Sequence, residues 1–353
     1  MIDKNFWHGK KIFVTGHSGF KGSWLSIWLL KLGAKLKGYS LEPNTDPSIF
    51  NALNLNKKIE SDFNDIRNFD ELKKSIVSFK PDILFHMAAQ PLVRDSYKNP
   101  IYTFETNTMG TLNVLEACKY CKNLESIIIV TTDKCYENDE TARAFVETDS
   151  MGGKDPYSAS KGCAELVTSS YKHSFLRDLK KGISTVRAGN VIGGGDWSKD
   201  RLIPDILRCF EEGKKLSIRN PDAVRPWQYV LEPLSGYLIL AQNLHDDFES
   251  FSSPFNFGPE FEDSKSVEWI VKKMSTYWPE SEWEINNNKA LPESQHLTLN
   301  ADKAKKLLKW IPKVSLNESL DLIFRWHSAY KEDQVNMFNF SLDEIREYES
   351  KLR

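Results

Sequence analysis

Cysteine is scarce, with 5 among 353 residues. An odd handful in a chain this long excludes a disulfide-built fold and fits a reducing cytoplasm. Cys118 and Cys121 form one C-x-x-C pair. It lies inside a helical pattern with no second pair, so buried helix positions are expected rather than a redox or metal centre. The 7 histidines are scattered without ligand spacing, and no metal is expected. Charge of one sign is missing as well: Lys+Arg 47 against Asp+Glu 49 leaves a net charge of -2. Neither nucleic acid nor an anionic membrane is therefore an expected partner. No apolar run approaches a membrane span, and Met1-Ile2-Asp3-Lys4-Asn5 holds no apolar signal-peptide core, so a cytoplasmic location is expected. Internal repeats and low-complexity segments are absent too. Such a chain has the length to bury a large core, in one or two domains.

Residues 11–15 read as a short buried strand, followed by Gly16-His17-Ser18-Gly19-Phe20-Lys21-Gly22 and a helical pattern through Trp24, Leu25, Trp28, Leu29 and Leu32. Strand, glycine turn and helix in that order make a phosphate site, because glycines let the backbone approach a pyrophosphate whose charge rests on the helix N-terminus. A second strand at 35–41 ends in Tyr39-Ser40-Leu41-Glu42. With no arginine there for a 2′-phosphate, NAD is the favoured dinucleotide. Asp65 follows a third strand, and residues 82–87 form a fourth that runs into Ala88-Ala89-Gln90. Small residues suit close passage of a cofactor at the carboxyl ends of parallel strands, and they suit tight packing equally. One long helix is predicted over 99–121, with Thr106-Asn107 inside it.

Strand five, 127–130, leads to Thr131-Thr132-Asp133-Lys134. Asp155 as N-cap and Pro156 at the first helical position open a helix that carries Tyr157 and Lys161. Four residues apart, these two share a face, and an ammonium beside a phenol lowers its pKa toward working pH. That supplies a general base for an alcohol proton, the first need of hydride chemistry on a sugar. Strands and helices alternating this way predict an α/β fold with a doubly wound parallel sheet. Beyond a sixth strand at 183–188, residues 189–197 read as an irregular loop. Arg201 opens a helix to 209, and Arg219 and Arg225 sit in later connections. Three arginines and a glycine-rich loop suit a diphosphate. Helices are predicted at 264–277, 302–309 and 315–329, with a polar appended helix at 341–353.

Jointly, Gly16-x-x-Gly19-x-x-Gly22, Ala88-Ala89, Tyr157-x-x-x-Lys161 and the segment from Arg187 to Asn190 resemble the extended short-chain dehydrogenase/reductase superfamily. Its nucleotide-sugar dehydratase branch is the nearest likeness. TGHSGFKGSWL from Thr15, HMAAQPLVR from His86, TTDKCYEN from Thr131, RAGNVIGGGDW from Arg187 and RPWQYVLEPL from Arg225 are similar to the CDP-glucose 4,6-dehydratases. The likeness runs to about residue 330. Tyr229 departs from it where histidine is the family residue, beside the segment that holds the sugar nucleotide.

The resemblance implies a Rossmann-type NAD-binding domain at 1–192 plus roughly 226–258. It implies a smaller, mixed α/β nucleotide-sugar domain at roughly 193–225 and 259–330, and leaves 331–353 as an appended helix or tail. It also implies that Gly16, Gly19, Phe20 and Gly22 hold the pyrophosphate, that Asp65 and Ile66 contact adenine, and that Ala88, Ala89, Gln90 and Thr106 line the cofactor. Tyr157 is then the base that Lys161 supports, with Thr132 on the same substrate oxygen. Asp133 and Lys134 are the acid and base of water elimination, and Asn190, Arg201, Arg219 and Arg225 hold the sugar nucleotide. CDP-glucose is the favoured substrate, with other nucleotide sugars and a 4-epimerase as alternatives, and a non-catalytic cofactor-binding regulator ranks last. A homodimer or homotetramer is the implied assembly.

Overall fold

A computed structural model describes residues 1–138, 140–141, 143–286, 296–332 and 335–352. Its strands are β1 (Lys11–Thr15), β2 (Lys35–Ser40), β3 (Glu60–Phe63), β4 (Ile83–His86), β5 (Ser126–Val130), β6 (Gly182–Ala188), β7 (Asn190–Ile192), β8 (Leu216–Ile218), β9 (Val224–Tyr229), β10 (Phe255–Phe257), β11 (Ser264–Ser266) and β12 (Trp283–Ile285). Seven of them make one sheet in the order β10-β6-β5-β4-β1-β2-β3, with every pairing parallel. Strands β4, β5 and β6 are buried along their whole length, as parallel strands covered on both faces must be. Trp24, Trp28, Leu234 and Leu238 cover one face; Leu72, Ile76, Val114 and Leu115 cover the other. Strand order reverses between β1 and β4, and the crevice beyond their carboxyl ends is where such sheets bind ligands. The α/β expectation stands.

The helix expected over 99–121 is Pro100–Phe104, a π turn at Glu105–Met109, then Gly110–Lys119. Asn107 in that turn accepts from the Gln90 N–H at 2.8 Å and donates to the Gln90 carbonyl at 3.0 Å and to Ser160 Oγ at 2.9 Å. The turn's extra residue aims Asn107 at the loop after β4. Residues 190–192, expected in an irregular loop, pair in parallel with β9 instead. Residues 264–266 form β11 against β9, and the helix expected from 264 starts later, as Val267–Ser275. Two small sheets, β11-β9-β7 and β12-β8, pack with their own core of Ile203, Ile206, Phe210, Ile270, Met274 and Leu320.

The C-terminal helix is Met337–Lys351, and it is built into the main core rather than appended. Met337, Ile345 and Tyr348 share an apolar cluster with Trp28 and Leu234. Trp28 Nε1 donates to Glu349 at 2.8 Å, Tyr348 Oη to Glu232 at 2.8 Å, and Tyr229 Oη to Glu344 at 3.1 Å. Buried phenols need such acceptors. Burial in turn pushes the Glu232 and Glu344 carboxyls up to about 7.

Candidate active site

Gly16 has φ +74, and a Cβ there would lie 2.6 Å from Ala88 N; one on Gly22 would lie 2.0 Å from the Gly16 carbonyl. Only glycine fits either place. Gly19 caps the Phe20–Lys31 helix without a side-chain hydrogen bond, so the helix keeps its first N–H groups for another acceptor. This cradle fits a dinucleotide pyrophosphate. Thr15 Oγ1 ties the turn to the β4 exit by accepting from Met87 N and Ala88 N, at 3.1 and 3.2 Å. Gln90 is fixed by Asn107 and by Thr103. Thr106 Oγ1 is buried in the π turn with no hydrogen-bond partner, the condition of a group whose partner is a ligand. Ile66 packs under Gly110, where a Cβ would come within 2.4 Å of its Cδ1. The Asp65 carboxylate is already held by Arg67 at 2.8 Å, which leaves mainly backbone groups for any adenine contact at that position.

A cavity of about 380 Å³ opens beside this crevice, and Ala89 reaches it. Thr132, Lys134, Tyr157, Lys161, Asn190, Arg201, Arg219 and Arg225 all line it. The Asp155 cap accepts from Ser158 N at 2.9 Å, and Ser96 Oγ accepts from Tyr157 N at 3.1 Å, which fixes the start of the tyrosine helix. Asp133 stands just behind the lining, 0% exposed. Its Oδ1 accepts from Thr132 Oγ1 at 2.9 Å and faces Lys134 Nζ at 3.5 Å, while its Oδ2 has no partner. Asn190 Oδ1 is a second buried orphan. At the mouth, Asp200 sits between Arg94 at 2.6 Å and Arg219 at 3.9 Å, and Asp196 holds Arg201 at 3.0 Å.

The electrostatics differ from expectation at one point. Burial pushes the Tyr157 phenol up to about 12, with Asp133 adding to that and the hydrogen bond to Thr132 acting against it. Lys161 Nζ donates to the Val130 carbonyl at 3.1 Å. Lys161 is itself held down at about 8 by burial, against the pull of Glu165. Lys134 has a quarter of its side chain exposed, 25%, and pairs with Asp133. The amine that burial and neighbouring cations do depress is Lys21, to about 7, with Lys161 and Arg201 beside it and Asp133 in opposition.

The family model for GDP-mannose 4,6-dehydratase matches residues 13–323. The chain belongs to that family. Within it, CDP-glucose 4,6-dehydratase of Salmonella typhimurium is 51% identical over 99% of both chains. An epimerase of Methanothermobacter thermautotrophicus has the same fold, with a TM-score of 0.80 at 23% identity, over 92% of this chain and 94% of that one. UDP-glucuronic acid 4-epimerase of Bacillus cereus, solved with UDP-glucuronic acid and NAD, gives 0.77 at 25% identity over 90% and 99%.

Against the family pattern, the Tyr229 departure falls outside the pocket: its phenol points to Glu344 of the C-terminal helix. Sequence reading missed Lys21 and Arg94, both of which line the cavity. It also missed the buried fork of Arg187 on Glu165, at 2.9 and 2.8 Å. Glu165 lies one turn beyond Lys161 and takes the Thr131 and Thr185 hydroxyls as well. The (i, i+4) spacing was its only trace.

Proposed function

We propose that this chain is an NAD-dependent nucleotide-sugar 4,6-dehydratase that converts CDP-glucose to CDP-4-keto-6-deoxyglucose. The observation that carries the reading is the Thr132-Asp133-Lys134 turn facing Tyr157 in one cavity, with Asp133 Oδ2 and Asn190 Oδ1 lacking partners. An epimerase needs the tyrosine but has no use for the acid and amine. The Salmonella relative supports the choice of CDP-glucose.

Residues 1–192 with about 226–258 form the cofactor half, and about 193–225 with 259–330 the sugar-nucleotide half. Gly16, Gly19, Phe20, Gly22, Asp65, Ile66, Ala88, Ala89, Gln90, Thr106 and Lys161 would hold NAD, which when bound would supply a hydride acceptor for C4 of the sugar and a hydride donor for C6. Tyr157 takes the C4 hydroxyl proton. Its phenol is too basic to be ionised in the free cavity, and a positive charge arriving beside it lowers that barrier. The resulting 4-keto group acidifies C5. Lys134, as free amine, takes the C5 proton while protonated Asp133 gives its proton to the departing C6 hydroxyl, so water leaves and an ammonium–carboxylate pair remains. Lys134 then re-protonates C5 as C6 is reduced. Thr132 Oγ1 donates to Asp133 Oδ1 and also acts on the Tyr157 phenol, so it stands with both the residue that gains the C4 proton and the residue that spends one at C6. Asn190, Arg201, Arg219 and Arg225 hold the diphosphate and nucleoside, the arginines by charge-assisted bonds.

Two copies assemble through the helices 100–119 and Pro156–Tyr171, which leave Ile101, Met109 and Leu166 exposed by 75%, 49% and 62%. The deciding experiment incubates the protein with CDP-, dTDP- and UDP-glucose and UDP-N-acetylglucosamine and weighs the products. Loss of one water from CDP-glucose without NADH accumulation is the expected result. Unchanged mass with inverted C4, or no turnover of any sugar nucleotide, would overturn the reading.

A further inference from the structure

Carboxylates stand where a diphosphate has to enter. Asp196, Asp200 and Asp205 line the cavity beside Arg201 and Arg219, and each repels a dianion unless a cation holds it. Asp196 is held by Arg201 at 3.0 Å and Asp205 by Arg208 at 2.5 Å, both close by in sequence. Asp200 is held from the cofactor half instead. Its Oδ1 accepts from Arg94 Nη1 at 2.6 Å, across 106 positions of the chain. Arg219 stands off at 3.9 Å from the same oxygen, and among the described residues no carboxylate lies closer to it. Arg94 sits on the short helix Val93–Lys98, and Ser96 of that helix accepts from the backbone N–H of Tyr157. The hold on Asp200 is therefore anchored to the segment that starts the tyrosine helix. Asp200 itself has φ +60, a left-handed backbone that a non-glycine residue keeps only where its surroundings fix it.

For stability the pair counts for little, since both side chains are more than a third exposed, at 36% and 38%. Its value lies in what Asp200 would do without Arg94. Left unheld, the Asp200 carboxylate would draw Arg219 across the remaining distance, and an arginine meant for the diphosphate would already be paired. The carboxylate's own charge would also face the incoming dianion. Resting on the sugar-nucleotide reading above, we propose that Arg94 is a positioning residue for substrate capture: by neutralising Asp200 from the cofactor half, it leaves Arg219 open to the diphosphate. Arg94 acts through Asp200 and makes no bond to the substrate. The arrangement serves release as well, because Asp200 stays at hand to take Arg219 back as the product leaves.

The test is a double-mutant cycle on KM for CDP-glucose, with calorimetric binding of CDP and of NAD+ alongside. Arg94→Met should raise KM about tenfold, the scale of a unit charge several ångströms away at an effective dielectric of about 20, with the loss in KM rather than kcat. The rise should shrink at about 1 M salt, where charges are screened within about 3 Å. Arg94→Met combined with Asp200→Asn should return KM to within about twofold of wild type, because no carboxylate remains to be held. A KM that stays raised in the double variant would make Arg94 a direct substrate contact and overturn the proposal. So would a wild-type KM in Arg94→Met, or a raised KM in Asp200→Asn alone, which would put Asp200 on the substrate. Loss of NAD+ affinity in step with KM would trace the effect to the fold of the helix Val93–Lys98 and overturn it too. Wild-type protein that neither binds CDP nor turns over CDP-glucose removes the sugar-nucleotide reading together with this one, whereas normal wild-type turnover with any of those failures removes this one alone.

Discussion

Glu165→Gln keeps the size of the side chain and removes one charge from a pair in which Arg187 is 3% exposed and Glu165 4%. The guanidinium then faces an amide that offers one acceptor where two carboxylate oxygens stood, at 2.9 and 2.8 Å. Breaking a buried pair by neutralising one partner costs about 3–5 kcal/mol, because the other charge stays buried. For a chain of 353 residues, unfolding entropy of roughly 2 cal/mol/K per residue turns that into a melting point lower by about 4–7 °C. Circular dichroism on heating reads it. Arg187→Met combined with Glu165→Gln should lose less than the sum of the two singles, since no orphaned charge remains. The same change touches the site. Glu165 pulls the Lys161 ammonium upward from where burial would hold it, so without that carboxylate Lys161 loses its proton at a lower pH. The alkaline limb of the kcat profile should move to lower pH accordingly. A melting point within about 1 °C of wild type, or single losses that simply add, would refute the account of Glu165 and Arg187 as one coupled unit.

Asp133→Asn and Lys134→Ala should each lower the rate of water loss by about a hundredfold or more while CDP-glucose affinity changes little, as removal of a general acid or base does; rapid-quench mass spectrometry separates the steps, and unimpaired dehydration would exclude the residue from the mechanism. Glu344, raised to about 7 by burial, binds its proton more tightly in the folded chain than in the unfolded one. Its contribution is therefore full below about pH 4.5 and lost as pH climbs to about 7, on the order of 3 kcal/mol in all. Glu344→Gln should flatten that slope in pH-dependent urea unfolding. Gly16→Ala adds a Cβ 2.6 Å from Ala88 N at φ +74; dinucleotide affinity measured by fluorescence should fall at least tenfold, at a strain of about 1–2 kcal/mol or more. Ile101→Asp with Leu166→Asp should give monomers in sedimentation velocity if the helix pair forms the dimer face, whereas an unchanged sedimentation coefficient would count against that face.

Local order explains what the sequence made legible. The strand, glycine turn and helix over 11–31, the Asp155-Pro156 cap and the Tyr157/Lys161 spacing are all set by neighbours within a few residues, so they could be read along the chain. The small sheets could not, because β7, β8, β11 and β12 are three residues each and pair with distant partners. The C-terminal helix misled for a different reason. Its average is polar, yet Met337, Ser341, Glu344, Ile345 and Tyr348 are its buried residues, and two of those five are polar because Trp326 and Tyr229 supply their bonds. The phenol of Tyr157 was misjudged through proximity. Sharing a helix face brought Lys161 near, but burial outweighed any such pairing in the free cavity. Lys21 was invisible because nothing in a glycine turn tells which way its lysine points.

The docking of Met337–Lys351 against Trp28 and Tyr229 has a bearing on how the chain folds. Trp28 and the acceptor of its indole N–H, Glu349, stand 321 residues apart. Contacts at such separation carry a large loop-closure cost, so the cover over Trp28 and Leu234 forms late, and until it docks the Rossmann half displays apolar surface.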